Sequence, residues 1–332
     1  FERVEREGSP ARYCFKLGGK EDIDGVIGEA ASEVTMDEIA LVLLRQASEK
    51  FSDLHISGES GPVTTNCVVE WRGAIRHGDI VWNLSGAEID AEKSHSDWTM
   101  VAGFEMGSVS EQFAWRFGSL TEDNLERIRR VCVLQKNADI REQFKDKLTA
   151  VAPIQSLAIE KIWQRVFLSD SRLVVGGAEY PLTDEARSAH TLSQLFTIML
   201  GPVFEFQFPE HPEFSQVLGV KEAARLIGQF FASSAQKSGE LQRLAETFAL
   251  PLGLIEQHED DHVPVAAESL MQLPVVQAAF EGINISTDAV VTLDQLSSRM
   301  GAAPFGLTRE AQHLVLAALV AQRQLEFVTF SG

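Results

Sequence analysis

Two histidines four positions apart, in His258-Glu-Asp-Asp-His262, are the most concentrated metal-ligating types in this sequence. On a helix such a pair shares one face and can hold zinc with a third ligand. The acidic run between them, Pro264 just beyond and the lack of a nominated third ligand predict a solvated, charged loop instead. Nucleophilic chemistry could draw on Cys14, Cys67 and Cys132. Cys14 and Cys67 fall in strand patterns and Cys132 on the apolar side of a helix, so all three read as core. There is no Gly-x-Ser-x-Gly elbow. The pair Gly19-Lys20 lacks both the upstream glycine and the following Ser or Thr of a phosphate-cradling loop. His211 stands between Glu210 and Glu213 in a Pro-x-His-Pro turn, where a hydrogen-bonded structural histidine is expected. No catalytic, metal-binding or cofactor-binding residue is nominated.

The remaining chemistry is that of cations. Arg72 and Arg76 lie beside Trp71 and His77, and Arg127, Arg129 and Arg130 form a second basic patch. Arg309 and Arg323 bracket the last helical pattern. Arg72, Arg76, Arg127, Arg130, Arg309 and Arg323 are therefore the candidate interaction residues, for an acidic protein or for nucleic acid, with internal ion pairing as the plain alternative. The net charge of −19 repels phosphate on average. Non-specific duplex affinity comes mainly from Lys and Arg against phosphates, so any nucleic-acid contact would have to be local.

The elements that would carry these residues change character along the chain. Arg12–Leu17 reads as a short strand closed by Gly18-Gly19, and 21–34 as a polar helix. Thr35-Met-Asp-Glu38 is a capping box opening a helix with Met36, Ile39, Leu43, Ala47 and Phe51 at helical spacing. Val63–Trp71 is β-branched and long, 72–78 reads as a connection, and Asp79–Leu84 as the second strand of a hairpin. A helical turn is expected at 85–92 and a third strand at Trp98–Phe104, so a sheet bearing Trp71, Trp82 and Trp98 centres the first half. Helices follow from Thr121 to Lys136, from about Asp139 to Val151, where Pro153 ends it, and from Ala158 to Phe167. A short extended piece is expected within 170–180, and Thr183 is expected to cap a helix that stops at Gly201-Pro202.

Beyond that stop, Phe204, Phe206 and Phe208 alternate with Glu205 and Gln207, a spacing that puts three rings on one side of an extended segment. Pro209 and Pro212 flank it, and a buried staple between lobes is the expected role, with Phe206 and Phe208 buried. Paired helices are expected at 220–235 and 239–250. Then come a helix at 274–280, an extended piece at 289–292, a helix opened by the Thr292-Leu-Asp-Gln295 capping box, a turn, a helix capped by Thr308, and a strand at Leu325–Phe330. That order resembles a winged helix over about 268–332. Its last helix offers a thin basic surface, so protein contact is preferred over DNA.

The chain of 332 residues allows two or three domains. The expected fold class is α+β: a β-sheet lobe at 1–120, a helical lobe at 121–215, and a helical lobe at 216–332 ending in the winged-helix-like module. An apolar content of 45% argues against disorder, and no apolar run reaches the length of about 18 residues needed to span a membrane. Three cysteines without a Cys-x-x-Cys pair fit reduced thiols in a cytoplasm. The chain opens on Phe1 rather than methionine, which predicts a piece of a longer protein.

Four stretches together carry a family resemblance: Arg-Tyr-Cys-Phe-Lys-Leu at 12–17, the run from Trp71 to Trp82, Phe208-Pro-Glu-His-Pro-Glu-Phe214, and Ala303-Pro-Phe-Gly-Leu-Thr-Arg-Glu-Ala311. With them the chain resembles the large P-loop ATPases of BREX phage-defence systems (the BrxC/PglY family). The resemblance implies a longer parent whose ATP-binding core lies upstream of Phe1, with this chain as a middle portion. It further implies bacterial anti-phage defence alongside a methyltransferase and a PglZ-type protein. No catalytic residue carries over, because the family's nucleotide motifs are not in this stretch. The expected role is a non-catalytic segment that contacts those partners or neighbouring copies; a DNA-binding winged helix is the alternative.

Overall fold

The computed structural model describes residues 2–4, 12–14, 23–55, 63–84, 96–104, 113–143, 145–233, 236–259, 261–283 and 290–328. The turn expected at Gly18-Gly19 and the helical turn expected at 85–92 lie outside them. The fold is α+β, with a six-stranded mixed sheet followed by helices. The strands lie side by side in the order Val63–Trp71, Ala74–Asn83, Trp98–Gly103, Phe113–Arg116, Arg172–Val175 and Ala178–Pro181. Trp98–Gly103 and Phe113–Arg116 run parallel, Met100 facing Phe113; the next two pairings are antiparallel, with Leu173 between Trp115 and Tyr180.

Strand Val63–Trp71 buries every second residue, Thr65, Cys67, Val69 and Trp71, as a period of two requires. Its partner begins earlier than the sequence predicts. Only Arg72 and Gly73 form the connection, both with positive φ (50° and 68°), which matches the twist of a two-residue hairpin. The expected connection 72–78 is therefore mostly strand, and Ala74, Arg76, Gly78, Ile80 and Trp82 alternate inward along it. Gly73 is also needed for space, since a Cβ there would stand 2.5 Å from the Gln216 carbonyl oxygen.

The chain folds into two compact units: 1–65, 80–92 and 100–182 form one, and 66–79, 93–99 and 183–332 the other. In the first, Phe117 and Phe167 stack at 4.1 Å and Trp163 and Phe167 at 5.2 Å, with Trp82 and Trp115 against Phe117. Helix Met36–Lys50 opens on Thr35, whose hydroxyl accepts from the Glu38 N–H while the Glu38 carboxylate accepts from the Thr35 N–H. Helix Glu122–Lys136 opens on a similar box between Thr121 and Asn124. Pro153 does not end a helix: Lys145–Trp163 runs through it and continues as a π-helical turn, Gln164–Ser169. An interior proline forfeits one backbone bond. Burial of Ile159, Ile162 and Trp163 past it offsets that loss.

In the second unit, helix Leu192–Gln207 likewise continues through Pro202, and it is capped by Thr191 rather than Thr183, which caps the short helix Asp184–Ser188. Leu192, Leu195, Phe196, Met199, Leu200 and Phe204 make a single buried stripe at helical spacing, which carries the helix across Gly201-Pro202. The rings at 204, 206 and 208 are therefore disposed helically. Phe204 and Phe208 are buried on one face and Phe206 is 89% exposed, which overturns its expected burial. Helix Val220–Arg225 with its π-helical extension Leu226–Phe231, and helices Gly239–Phe248, Ala267–Met271, Pro274–Phe280, Leu293–Gly301 and Arg309–Ala321 enclose a core around Phe230, Phe248, Leu314 and Val315.

The winged-helix ending is not confirmed. Residues 325–328 form no strand, nor do 290–292, and the last helix buries Ala311, Gln312, Leu314, Val315, Leu316, Ala318 and Leu319. Such a helix is an element of the core of the second unit. The charged loop predicted at 258–262 is instead the turn of a hairpin, Ile255–His258 paired antiparallel with Asp261–Pro264. In that register His262 faces Gln257, so the two histidines do not share a helical face. Among the described residues no group of three or more His, Cys, Asp or Glu could hold a metal ion, and no helix is long and apolar enough to cross a membrane.

Candidate functional site

Arg76 sits on an inward position of its strand and is 3% exposed. Its guanidinium lies 5.1 Å from the Trp71 ring, 4.9 Å from Phe204 and 4.7 Å from Phe208, and one Nη donates to the Gly306 carbonyl at 2.6 Å. Three aromatic faces present their negative quadrupoles to one buried cation, each such contact worth about 0.5–2 kcal/mol. Its Nε has no hydrogen-bond partner among the described residues. Burial lowers the Arg76 pKa to about 10, with the Asp97 charge acting in the other direction. Asp97 accepts from the His77 N–H at 2.7 Å, and burial raises its pKa.

Arg72, at the hairpin tip, donates to the His211 carbonyl at 2.8 Å and pairs with Glu205. The segment Phe208–Leu218 closes around the same tip: the Phe214 N–H donates to the Arg72 carbonyl at 3.0 Å and the Leu218 N–H to that of Gly73 at 2.8 Å. His211 packs 4.9 Å from Trp71, and its Nδ1 donates to the Pro212 carbonyl at 2.7 Å, which makes Nε2 the unprotonated nitrogen. Nε2 is buried without a partner among the described residues. At 3% exposure the ring is part of the packing, and the cluster forms a latch between the tip, the end of helix 192–207 and the Gly306 turn.

The latch has a pH signature. Burial, then the nearby Arg76 charge, pulls the His211 pKa from 6.5 to about 3. The folded protein keeps the ring neutral while the unfolded chain takes up a proton below 6.5, so stability is lost as pH falls from about 6.5 towards 3. Between pH 7 and pH 5 the loss due to this one group is expected to be about 2 kcal/mol. Urea unfolding at both pH values, on the native chain and on His211→Asn, checks this; an equal pH dependence in the two proteins rules it out.

The other predicted cations are dispersed. Arg127 pairs with Asp123 at 2.9 Å, Arg129 with Glu122 at 3.1 Å, and Arg130 with Asp24 at 2.9 Å and Glu126 at 3.1 Å. Arg309, the first residue of the last helix, and Arg323, two residues past its end, are both exposed, about 20 Å apart at 1.5 Å per residue. Cys67 and Cys132 are buried, and burial raises the Cys132 pKa to about 11, as befits core thiols. Sequence reasoning missed Glu205, Asp97 and Gly306. For Arg76 a signal existed, since it shares the two-residue alternation of Ala74, Gly78 and Ile80.

No protein-family model, no curated protein and no solved structure matches the chain.

Proposed function

We propose that this chain is a non-catalytic interaction segment of a bacterial anti-phage defence ATPase of the BREX type, which contacts partner proteins or neighbouring copies in the cytoplasm. One contrast carries the reading. Arg72, Arg76, Arg127 and Arg130 are engaged internally, while the Phe206 ring stands 89% exposed beside the latch. Exposed aromatics flanked by polar residues are the usual anchors of protein contacts. Phosphate recognition needs free cations, and this chain of net charge −19 has engaged those four internally. ATP binding and hydrolysis are assigned to the parent protein outside this chain.

The test is capture of the purified methyltransferase and PglZ-type component by the immobilised chain, with sedimentation to follow self-association. Phe206→Asp is expected to leave the melting temperature unchanged and to weaken the contact at least about tenfold. Absence of both capture and self-association sinks the reading. Tight duplex binding with a steep salt dependence, lost on replacing Arg309 and Arg323, would put the DNA reader in its place.

A further inference from the structure

Two adjoining clefts in the first unit form one groove against helix Glu122–Lys136. The larger, about 540 Å³, lies among helices Met36–Lys50, Glu122–Lys136, Ala138–Gln143 and Lys145–Trp163; the smaller is about 380 Å³. They share Val131, Gln155 and Ile159, and from Asp123 to Gln135 the groove follows about 18 Å of helix. Its floor is apolar (Val42, Val131, Leu134, Leu148 and Ile159), and Ile154, 67% exposed, stands on its wall.

The two ends differ in charge. At the smaller cleft the arginines are neutralised by Asp123, Glu126 and Asp24. At the larger one, Arg45 and Arg141 converge on a single residue. Arg45 Nη1 donates to Gln135 Oε1 at 3.1 Å and Arg141 Nη1 to the Gln135 carbonyl at 3.2 Å. Among the described residues neither has a carboxylate within 4.0 Å. Glu49, on the same wall, instead accepts from Gln46, and Lys145 stands nearby, 3.9 Å from Glu142. Two guanidinium groups on one wall, with no carboxylate partner among the described residues, offer a place that a carboxylate from outside can occupy. On a protein of net charge −19 this local reversal selects against another acidic surface that lacks the matching geometry.

We propose that the groove receives an amphipathic helical segment of a partner protein, its apolar face on the Val42–Leu134–Ile159 floor and its acidic end at Arg45 and Arg141. A strip about 18 Å long with apolar floor and one charged end suits anchors at i, i+4, i+7 and i+11, the pattern of helix-in-groove recognition. The inference stands apart from the reading of Phe206, because the groove belongs to the other unit.

The probe is a labelled helical peptide with leucines at that spacing on an alanine–glutamine background and glutamates clustered at one end, beside its twin with lysines in place of the glutamates. Titrated against the full chain, the acidic peptide is expected to bind at least about tenfold tighter than the basic one. Arg45→Glu with Arg141→Glu is expected to reverse that preference, and the milder Arg141→Gln to weaken the acidic peptide several-fold. Both positions are exposed, so an unchanged melting curve is expected to accompany the loss. No binding of the acidic peptide, equal binding of the twins, or an unchanged preference in Arg141→Gln overturns the proposal. So does self-association abolished by these variants without peptide binding, which would assign the groove to a second copy. A groove that fails while Phe206→Asp still weakens partner capture leaves the functional reading standing.

Discussion

Phe204→Ala is expected to destabilise the protein by about 3–5 kcal/mol, whereas Phe206→Ala, two residues on, is expected to change stability by less than about 0.5 kcal/mol. Phe204 is 1% exposed and touches Trp71 at 5.8 Å, Phe208 at 6.1 Å and the Arg76 guanidinium at 4.9 Å. Its removal leaves a cavity and takes one aromatic face from a buried cation that has few other means of compensation. Phe206 sits on the opposite side of the same helical turn, in water. Denaturant unfolding of the two variants checks the contrast. Comparable losses in both would mean that the rings alternate as on a strand, and the helix through Pro202 would be wrong.

Gly306→Ala is expected to cost about 3 kcal/mol or more, the sum of a left-handed backbone and an overpacked ring. Gly306 has φ +55°, and a Cβ there would stand 2.3 Å from Cγ of Phe208. Phe208 cannot retreat easily, because its other neighbours are Arg76, Trp71 and Phe204. Gly282 is the control, with φ +70° and, among the described residues, nothing within 4 Å of the added carbon. Gly282→Ala therefore carries only the backbone cost, about 1–2 kcal/mol. If the two substitutions cost the same, the close approach of Phe208 to the Gly306 turn is not what holds the latch together.

Helix starts and strand faces were legible from residues a few positions apart. The boxes at Thr35 and Thr292 form as their spacing predicts, and the alternation from Thr65 to Trp71 names the buried face without further information. These features rest on backbone groups satisfied within one turn, or on a side-chain period built into the strand. Pro153, Pro202 and Phe206 were misread because proline's local penalty, about 3 kcal/mol, is smaller than what burial beyond it returns. No local rule contains that comparison.

The latch lay further from view. Arg76 and the Gly306 carbonyl that accepts its hydrogen bond are 230 residues apart in sequence. The composition argued for a protein short of free cations, and Arg76 read as one of several surface arginines. Only the packing of Trp71, Phe204 and Phe208 around it decided that this cation would be buried, because desolvation depends on what surrounds a charge and not on what precedes it in the chain. The same holds for Arg45 and Arg141, unremarkable in sequence and made a pair by a shared contact with Gln135. Residue types and periods thus determined the elements and their inner faces, and tertiary structure decided which charges were neutralised, which were sealed, and which were left at the surface.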